Sequence, residues 1–137
     1  MDNSNQRLHK VFFYGLYMDE NILKSKNIKT RNKRVAFAND YQLRIGKMAT
    51  ILRKKDAKAY GLVYSLTHDE IDILYKKSGL TNYIVESVLV ELSDGSKIAT
   101  LSYILLYPPK NNEKNEEYFQ KLKDCMKFYK LPIAADV

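Results

Sequence analysis

Cysteine and histidine are scarce in this sequence, which contains one cysteine and two histidines among 137 residues. Because Cys125 stands alone, no disulfide can form within the chain, as is typical of proteins from a reducing compartment. His9 and His68 do not lie at metal-ligand spacing with a cysteine or with each other. The sequence therefore predicts a cytoplasmic protein with no metal site.

Long apolar runs are also missing. No stretch approaches the ~20 residues that a membrane-spanning helix needs. Residues 1–10 are too polar for the apolar core of a signal peptide. We therefore expect a soluble protein without a membrane anchor, and we expect residues 1–9 to form a flexible N-terminal segment. With 45% hydrophobic residues, the chain from 1 to 137 is long enough for one domain with its own core.

Positive charge exceeds negative charge, with 23 basic residues against 16 acidic ones and a net charge of +7. Basic clusters of this kind can bind a phosphate backbone. No RRM, KH or helix-turn-helix signature accompanies them, so we favour a solvated surface and keep a nucleic-acid-binding module as an alternative. The two clusters are Lys24, Lys26, Lys29, Arg31, Lys33 and Arg34, then Arg53, Lys54, Lys55 and Lys58.

The spacing of apolar residues predicts about six strands and about three helices. Gly61, inside a strand pattern, predicts a bulge or a close backbone approach. Thr67 and Glu70 form a T-x-x-E capping box, so a helix should begin near His68. Ser93-Asp94-Gly95 predicts a hairpin. The strands expected are 11–14, 34–45 with an interruption near 39–40, 48–52, 59–66, 82–92 and 96–105, and the other helices are 19–26 and 117–129.

Two features of this pattern suggest a site. The strand that begins at Val11 ends in Gly15 at the start of a helix, and such a junction presents backbone N–H groups that favour an anion. Glu86 shares a strand face with Val88 and Val90, so a carboxylate points where apolar residues point. Glu86 is either a strand-end residue beside solvent or a lysine, or an acid of the site.

An ordered set of motifs resembles the γ-glutamylcyclotransferase-like family. The resemblance covers residues 11–103, with a further match over 118–132, and implies a single α+β domain. Its expected fold is a small mixed, mostly antiparallel β-barrel with flanking helices. The motifs are Phe12-Phe13-Tyr14-Gly15, Ala49-Thr50-Ile51, Tyr60-Gly61-Leu62-Val63-Tyr64 with Ile71-Asp72 after it, and a strand from Tyr83 that turns at Asp94-Gly95 and continues to Ser102-Tyr103.

The resemblance also implies a reaction that needs no cofactor. Family enzymes cleave γ-glutamyl amides when the substrate's own α-amine attacks the γ-carbonyl, and the products are 5-oxoproline and a free amine. Tyr118 corresponds to a ligand-contacting tyrosine, and Leu16 replaces the serine that the family usually has after Tyr-Gly. The ligand-binding loop implied in this way consists of Val11, Phe12, Phe13, Tyr14, Gly15 and Leu16.

The position of the family's catalytic glutamate holds Tyr75 in this chain. A phenol titrates near pH ~10, far above the pH at which an efficient general base works. One hypothesis is an active variant in which Tyr75 or Glu86 carries the proton. The other is a catalytically silent domain that binds a small amino- or carboxylate-bearing ligand or a protein partner. For either hypothesis, the small-molecule ligand expected from the resemblance has a γ-glutamyl or related amino-acid group. The oligomeric state is not indicated by the sequence.

Overall fold

In the computed structural model, which describes Ser4 and residues 6–132, five strands close into a barrel in the order β1-β3-β2-β4-β5. Neighbouring strands are antiparallel except β1 and β5, which run parallel where Val11 lies opposite Leu101. This mixed barrel with flanking helices confirms the predicted fold class. The strands are β1 (Leu8–Phe13), β2 (Arg31–Ile45), β3 (Ala49–Thr67), β4 (Tyr83–Leu92) and β5 (Lys97–Leu105). The α-helices are α1 (Glu20–Ser25), α2 (His68–Leu74) and α3 (Glu116–Phe128), and a short 3-10 helix spans Leu16–Met18.

The two strands expected at 48–52 and 59–66 are one strand, β3, of 19 residues. Its polar middle stays extended because it pairs with β2, Arg53 opposite Tyr41 and Lys58 opposite Asn39. The register shifts between Asn39 and Tyr41. At this point Asp40 on β2 and Asp56 on β3 both adopt positive φ. Aspartate tolerates this backbone region better than most residues. The interruption predicted near 39–40 is therefore an irregularity inside a continuous hairpin.

The first strand begins earlier than the apolar pattern indicated. Leu8 pairs with Thr67 and His9 pairs with Leu66, so the backbone is ordered by the β3 ladder before the apolar residues begin. Part of the expected flexible segment 1–9 is thus strand, while residues 1–3 and 5 lie outside the described residues. No helix within residues 4 and 6–132 has the length and apolar character needed to cross a membrane.

The capping box predicted before α2 is present. Glu70 N donates to Thr67 Oγ1 at 3.2 Å, and Thr67 N donates to Glu70 Oε1 at 2.9 Å. Glu70 also accepts from the Arg31 guanidinium at 2.7 Å and from Lys29 N at 2.9 Å. These bonds fix α2 to the beginning of β2. Because Tyr75 directly follows α2, the same contacts set its position.

The core extends over both sides of β1. Val11, Phe12 and Phe13 are each at most 2% exposed, since the strand is covered on both faces. α3 adds Leu122 and Met126 to the same core. The chain leaves β1 at Tyr14-Gly15, so this turn starts from a rigid strand.

Candidate functional site

A cavity of about 320 Å³ opens where β1 ends. Its walls come from separate parts of the chain, which the barrel brings to one end. They are residues 12–17 with Ile22, residues 47–49 at the β2–β3 turn, Tyr75 and Leu80 after α2, Tyr83 at the start of β4, and Tyr118 on α3.

Five tyrosines line this cavity, and burial raises the pKa of each of them. All five are therefore neutral phenols near neutral pH. The hydroxyls of three of them donate hydrogen bonds to main-chain carbonyl oxygens and so connect the walls of the cavity. These bonds run from Tyr14 Oη to Tyr103 O at 2.6 Å, from Tyr17 Oη to Leu74 O at 2.7 Å, and from Tyr83 Oη to Ala49 O at 2.6 Å.

Tyr75 is held by aromatic packing instead of hydrogen bonds. Its ring stacks on Tyr103, with centroids 4.0 Å apart and planes 14° apart, and it meets Tyr17 and Tyr83 at 5.6 and 5.7 Å. No hydrogen bond of its hydroxyl is found within residues 4 and 6–132. Burial, together with the phenols around it, raises the pKa of Tyr75 well above its usual range. Tyr75 can donate a hydrogen bond to a ligand, but it stays protonated.

The turn at Gly15 makes a contact with α3 that the sequence did not reveal. Leu16 N donates to Tyr118 Oη at 3.1 Å, so this N–H is already used within the chain. Tyr118 is fixed at the helix start, where its N–H donates to Asn115 Oδ1 at 3.1 Å. The expected anion cradle therefore presents the Tyr118 hydroxyl at Leu16. The phenolic proton of Tyr118 has no acceptor in the described part of the chain.

Two of the predicted site residues do not line this cavity. Glu86 lies on β4 opposite Ser102, away from the lining. Val11 is fully buried inside β1, between Tyr64 on β3 and Leu101 on β5. The structure does bring the other predicted residues together around the cavity: Phe12, Phe13, Tyr14, Gly15, Leu16, Tyr75 and Tyr118.

The lining also contains residues that sequence reasoning did not assign to the site. Ala49 and Tyr83 both belong to the ordered motifs, and the bond between them explains how the two motifs are related. Lys47 has no such signal, because it follows a glycine in a short hairpin turn. It is the one charged side chain among the described residues that line the cavity, and no carboxylate is among them.

The two histidines lie closer together than their sequence positions suggest, with ring centroids 6.2 Å apart. Among the described residues, however, no group of three or more histidine, cysteine, aspartate or glutamate side chains could hold a metal ion. A pair of imidazoles falls short of the three or four ligands that a zinc site uses.

Carboxylates from elsewhere in the fold partly neutralise the first basic cluster. Arg31 pairs with Glu70 at 2.7 Å, Lys24 lies 3.5 Å from Glu20, and Lys33 also pairs with Glu20. Glu20 lies just before the cluster in the sequence, and Glu70 lies far beyond it. The pairing favours the interpretation of a solvated surface over that of a phosphate-binding patch.

Known proteins share this fold. The family described as gamma-glutamyl cyclotransferase, AIG2-like, matches residues 11–123. A gamma-glutamyl cyclotransferase superposes with a TM-score of 0.76 at 19% identity, over 92% of this chain and 82% of its own. An Arabidopsis thaliana protein solved in solution gives 0.68 at 22% identity, over 94% and 89%. A yeast gamma-glutamyl cyclotransferase specific to glutathione gives 0.67 at 14% identity, over 96% and 91%.

No protein with curated function matches the sequence significantly. At 14–22% identity, the structural likeness shows the fold alone. The family match extends further, because residues 11–123 include the Gly15 turn, Tyr75 and Tyr118 and make up most of the chain. With this match and the closed mixed barrel, the chain belongs to the gamma-glutamyl cyclotransferase, AIG2-like family.

Proposed function

We propose that this protein binds a small molecule with a γ-glutamyl or related amino-acid group in the tyrosine-lined cavity, and that it does not release 5-oxoproline through a side-chain base. One observation carries the proposal. Tyr75, in the position of the family's glutamate, is a partly buried residue whose phenol has a raised pKa, in a cavity whose described lining includes no carboxylate.

The chemistry of cyclisation explains why this observation matters. The α-ammonium of the substrate must lose a proton before its nitrogen attacks the γ-carbonyl. A C–N bond then forms, the original amide C–N bond breaks, and the departing amine takes up a proton. A phenol with a pKa above ~10 is ionised in fewer than about one molecule in a thousand near pH ~7. Loss of a positioned base typically lowers the rate by about 10²–10⁴-fold.

The groups that remain uncommitted suit a ligand that accepts hydrogen bonds. Tyr75 and Tyr118 each offer a phenolic proton, and Lys47 offers an ammonium at the rim. Carboxylate and amide carbonyl oxygens are the natural partners of such donors. A volume of about 320 Å³ fits a molecule of amino-acid size. We further propose a cytoplasmic location, because Cys125 is a free, buried thiol.

The experiment combines binding with turnover. The purified protein is titrated calorimetrically with γ-glutamyl dipeptides and glutathione, and the same mixtures are assayed for 5-oxoproline. We expect binding without 5-oxoproline above the buffer rate. Absence of binding by every γ-glutamyl compound would overturn the ligand assignment. Release of 5-oxoproline by the unmodified protein would overturn the assignment as a silent domain, and Tyr75→Phe and Glu86→Gln would then show which side chain carries the proton.

A matched pair of substitutions tests the role of position 75. Tyr75→Glu supplies the missing carboxylate, whereas Tyr75→Gln has nearly the same shape and no base. We expect slow 5-oxoproline release from the glutamate variant and none from the glutamine variant. A folded glutamate variant that binds ligand but releases no 5-oxoproline would show that the missing base is not the reason for the lack of turnover.

A further inference from the structure

A second cavity, of about 480 Å³, adjoins the first on the other side of the β2–β3 turn. The two cavities share Lys47 and Met48, so the turn forms a common rim. The far wall consists of the last residue of β5 and the segment after it, residues 105–109, together with Glu113. A ligand that enters the first cavity and extends past Lys47 would pass into the second.

The far wall is anchored to the β2–β3 turn. The Glu113 carboxylate accepts from Lys47 N at 3.3 Å and from Lys110 N at 3.4 Å. These main-chain bonds hold the pKa of Glu113 below its usual range. The Arg44 guanidinium donates to the main-chain oxygens of both Glu113 and Lys110. Both carboxylate oxygens of Glu113 therefore accept hydrogen bonds from the main chain, and this carboxylate has a structural role.

The wall packs closely against the turn. A Cβ added to Gly46 would lie 2.4 Å from the Pro109 Cβ, which shows how little space separates the two segments. The far wall of the second cavity therefore has a defined position relative to Lys47.

Apolar groups dominate the surface that this segment presents. Tyr107 is 84% exposed and Leu106 is 56% exposed, and both line the second cavity. Ile84, near the start of β4, lines the same cavity and is 37% exposed. Large apolar side chains left open around one concave surface are typical of a binding site.

We propose that the second cavity holds the amine portion of the ligand whose γ-glutamyl end occupies the first cavity, and that this portion is apolar or aromatic. The inference rests on the proposed function, since it extends the same ligand. Tyr107 is its specificity-determining residue, because it is the large hydrophobic side chain with the highest exposed fraction around this cavity.

Calorimetric titration with γ-glutamylalanine and γ-glutamylphenylalanine tests the proposal. We expect the phenylalanine compound to bind about tenfold more tightly, as partial burial of a phenyl group would give. Tyr107→Ala should remove most of that preference, because it should weaken binding of the phenylalanine compound far more than binding of γ-glutamylalanine. Phe128→Ala is the matched control, because Phe128 is a 77% exposed aromatic on α3 that lines neither cavity.

The outcomes separate the two proposals. Equal affinity for the two compounds, or an equal loss for both in Tyr107→Ala, overturns the second subsite and leaves the proposed function standing. If neither compound binds, the proposed function fails and the second subsite fails with it.

Discussion

The hydroxyl of Tyr118 occupies the space that a Cβ on residue 15 would need: a Cβ built on Gly15 would lie 2.5 Å from Tyr118 Oη. The backbone at Gly15 has φ −115°, which any residue can adopt. Glycine is required here by the approach of α3 and not by a special backbone conformation. The same oxygen accepts from Leu16 N, so this contact joins α3 to the cavity loop.

Gly15→Ala should displace the Tyr118 ring and break its bond with Leu16. We expect a loss of about 1–2 kcal/mol in the free energy of unfolding, together with weaker ligand binding. In a Tyr118→Phe background the hydroxyl is absent, and the next nearest ring atom, Cζ, lies at an ordinary 3.8 Å. Gly15→Ala should therefore cost less there. A double-mutant cycle measured by urea unfolding tests the coupling, and strictly additive costs would contradict it.

Gly61 has even less space for a side chain than Gly15 has. A Cβ at this position would lie 2.0 Å from the Phe13 carbonyl oxygen, which is main chain and is held by the pairing of Phe13 with Leu62. We expect Gly61→Ala to destabilise the protein by about 3 kcal/mol or more, as read from thermal unfolding.

Gly79→Ala is the control for that measurement. Nothing lies within 4 Å of its would-be Cβ, but its φ is +75°. This substitution should lower the free energy of unfolding by only about 1–2 kcal/mol, the cost of placing alanine at a positive φ. Equal losses for the two variants would show that the approach of Phe13 is not the reason for Gly61.

Gly61 also shows what the sequence could predict about the fold. A glycine within a strand pattern predicted a bulge or a close backbone approach, and the approach is present. The Thr67–Glu70 capping box and the hairpin at Asp94-Gly95 were also predicted correctly, since each depends on residues close in sequence. The continuity of β3 was not predicted, because its polar middle is extended only through pairing with β2.

The site depends on longer separations. Leu16 and Tyr118 are 102 positions apart, and Lys47 and Glu113 are 66 apart, so no local pattern connects them. Family motifs predicted a role for Tyr118, but nothing indicated Lys47. Strand alternation gave Glu86 a face of β4, yet it could not show at which end of the barrel the cavity opens.

Glu70 should make stability depend on pH. Burial by itself would raise the pKa of Glu70, but hydrogen bonds from Arg31 and from the N–H groups of Thr67 and Lys29 outweigh it, and the net pKa is lowered. A lowered folded-state pKa means that the unfolded chain binds more protons in acid. The stabilisation is therefore complete above the unfolded value near pH ~4.3 and is lost as pH falls through the folded value.

Glu70→Gln removes the charge and retains the shape. We expect it to lower the free energy of unfolding by about 2 kcal/mol near neutral pH, with the difference from the unmodified protein narrowing below about pH 4. Urea unfolding across this range provides the measurement. Glu117→Gln, at a side chain 81% exposed, should have little effect at any pH. A Glu70→Gln deficit that does not change with pH would contradict the charge-based explanation.

Cys125 reports on the helix that carries Tyr118. Burial, together with the nearby Asp19 charge, raises the pKa of its thiol to about 12. Near pH ~8, the thiolate should be about one part in ten thousand, so a disulfide reagent should label the folded protein at least ~100-fold more slowly than the unfolded chain. Comparable folded and unfolded rates would contradict the burial of the thiol.

The same labelling reaction can detect the contact between α3 and the cavity loop. Tyr118→Phe removes the oxygen that accepts from Leu16 N, so α3 should open more often and Cys125 should label faster. Tyr107→Ala changes an exposed ring off α3 and should label at the unmodified rate. Because Leu16 and Tyr118 both line the first cavity, a saturating γ-glutamyl compound should slow labelling of the unmodified protein and have less effect on Tyr118→Phe. An equal effect of ligand on both proteins would show that Tyr118 does not couple α3 to the cavity.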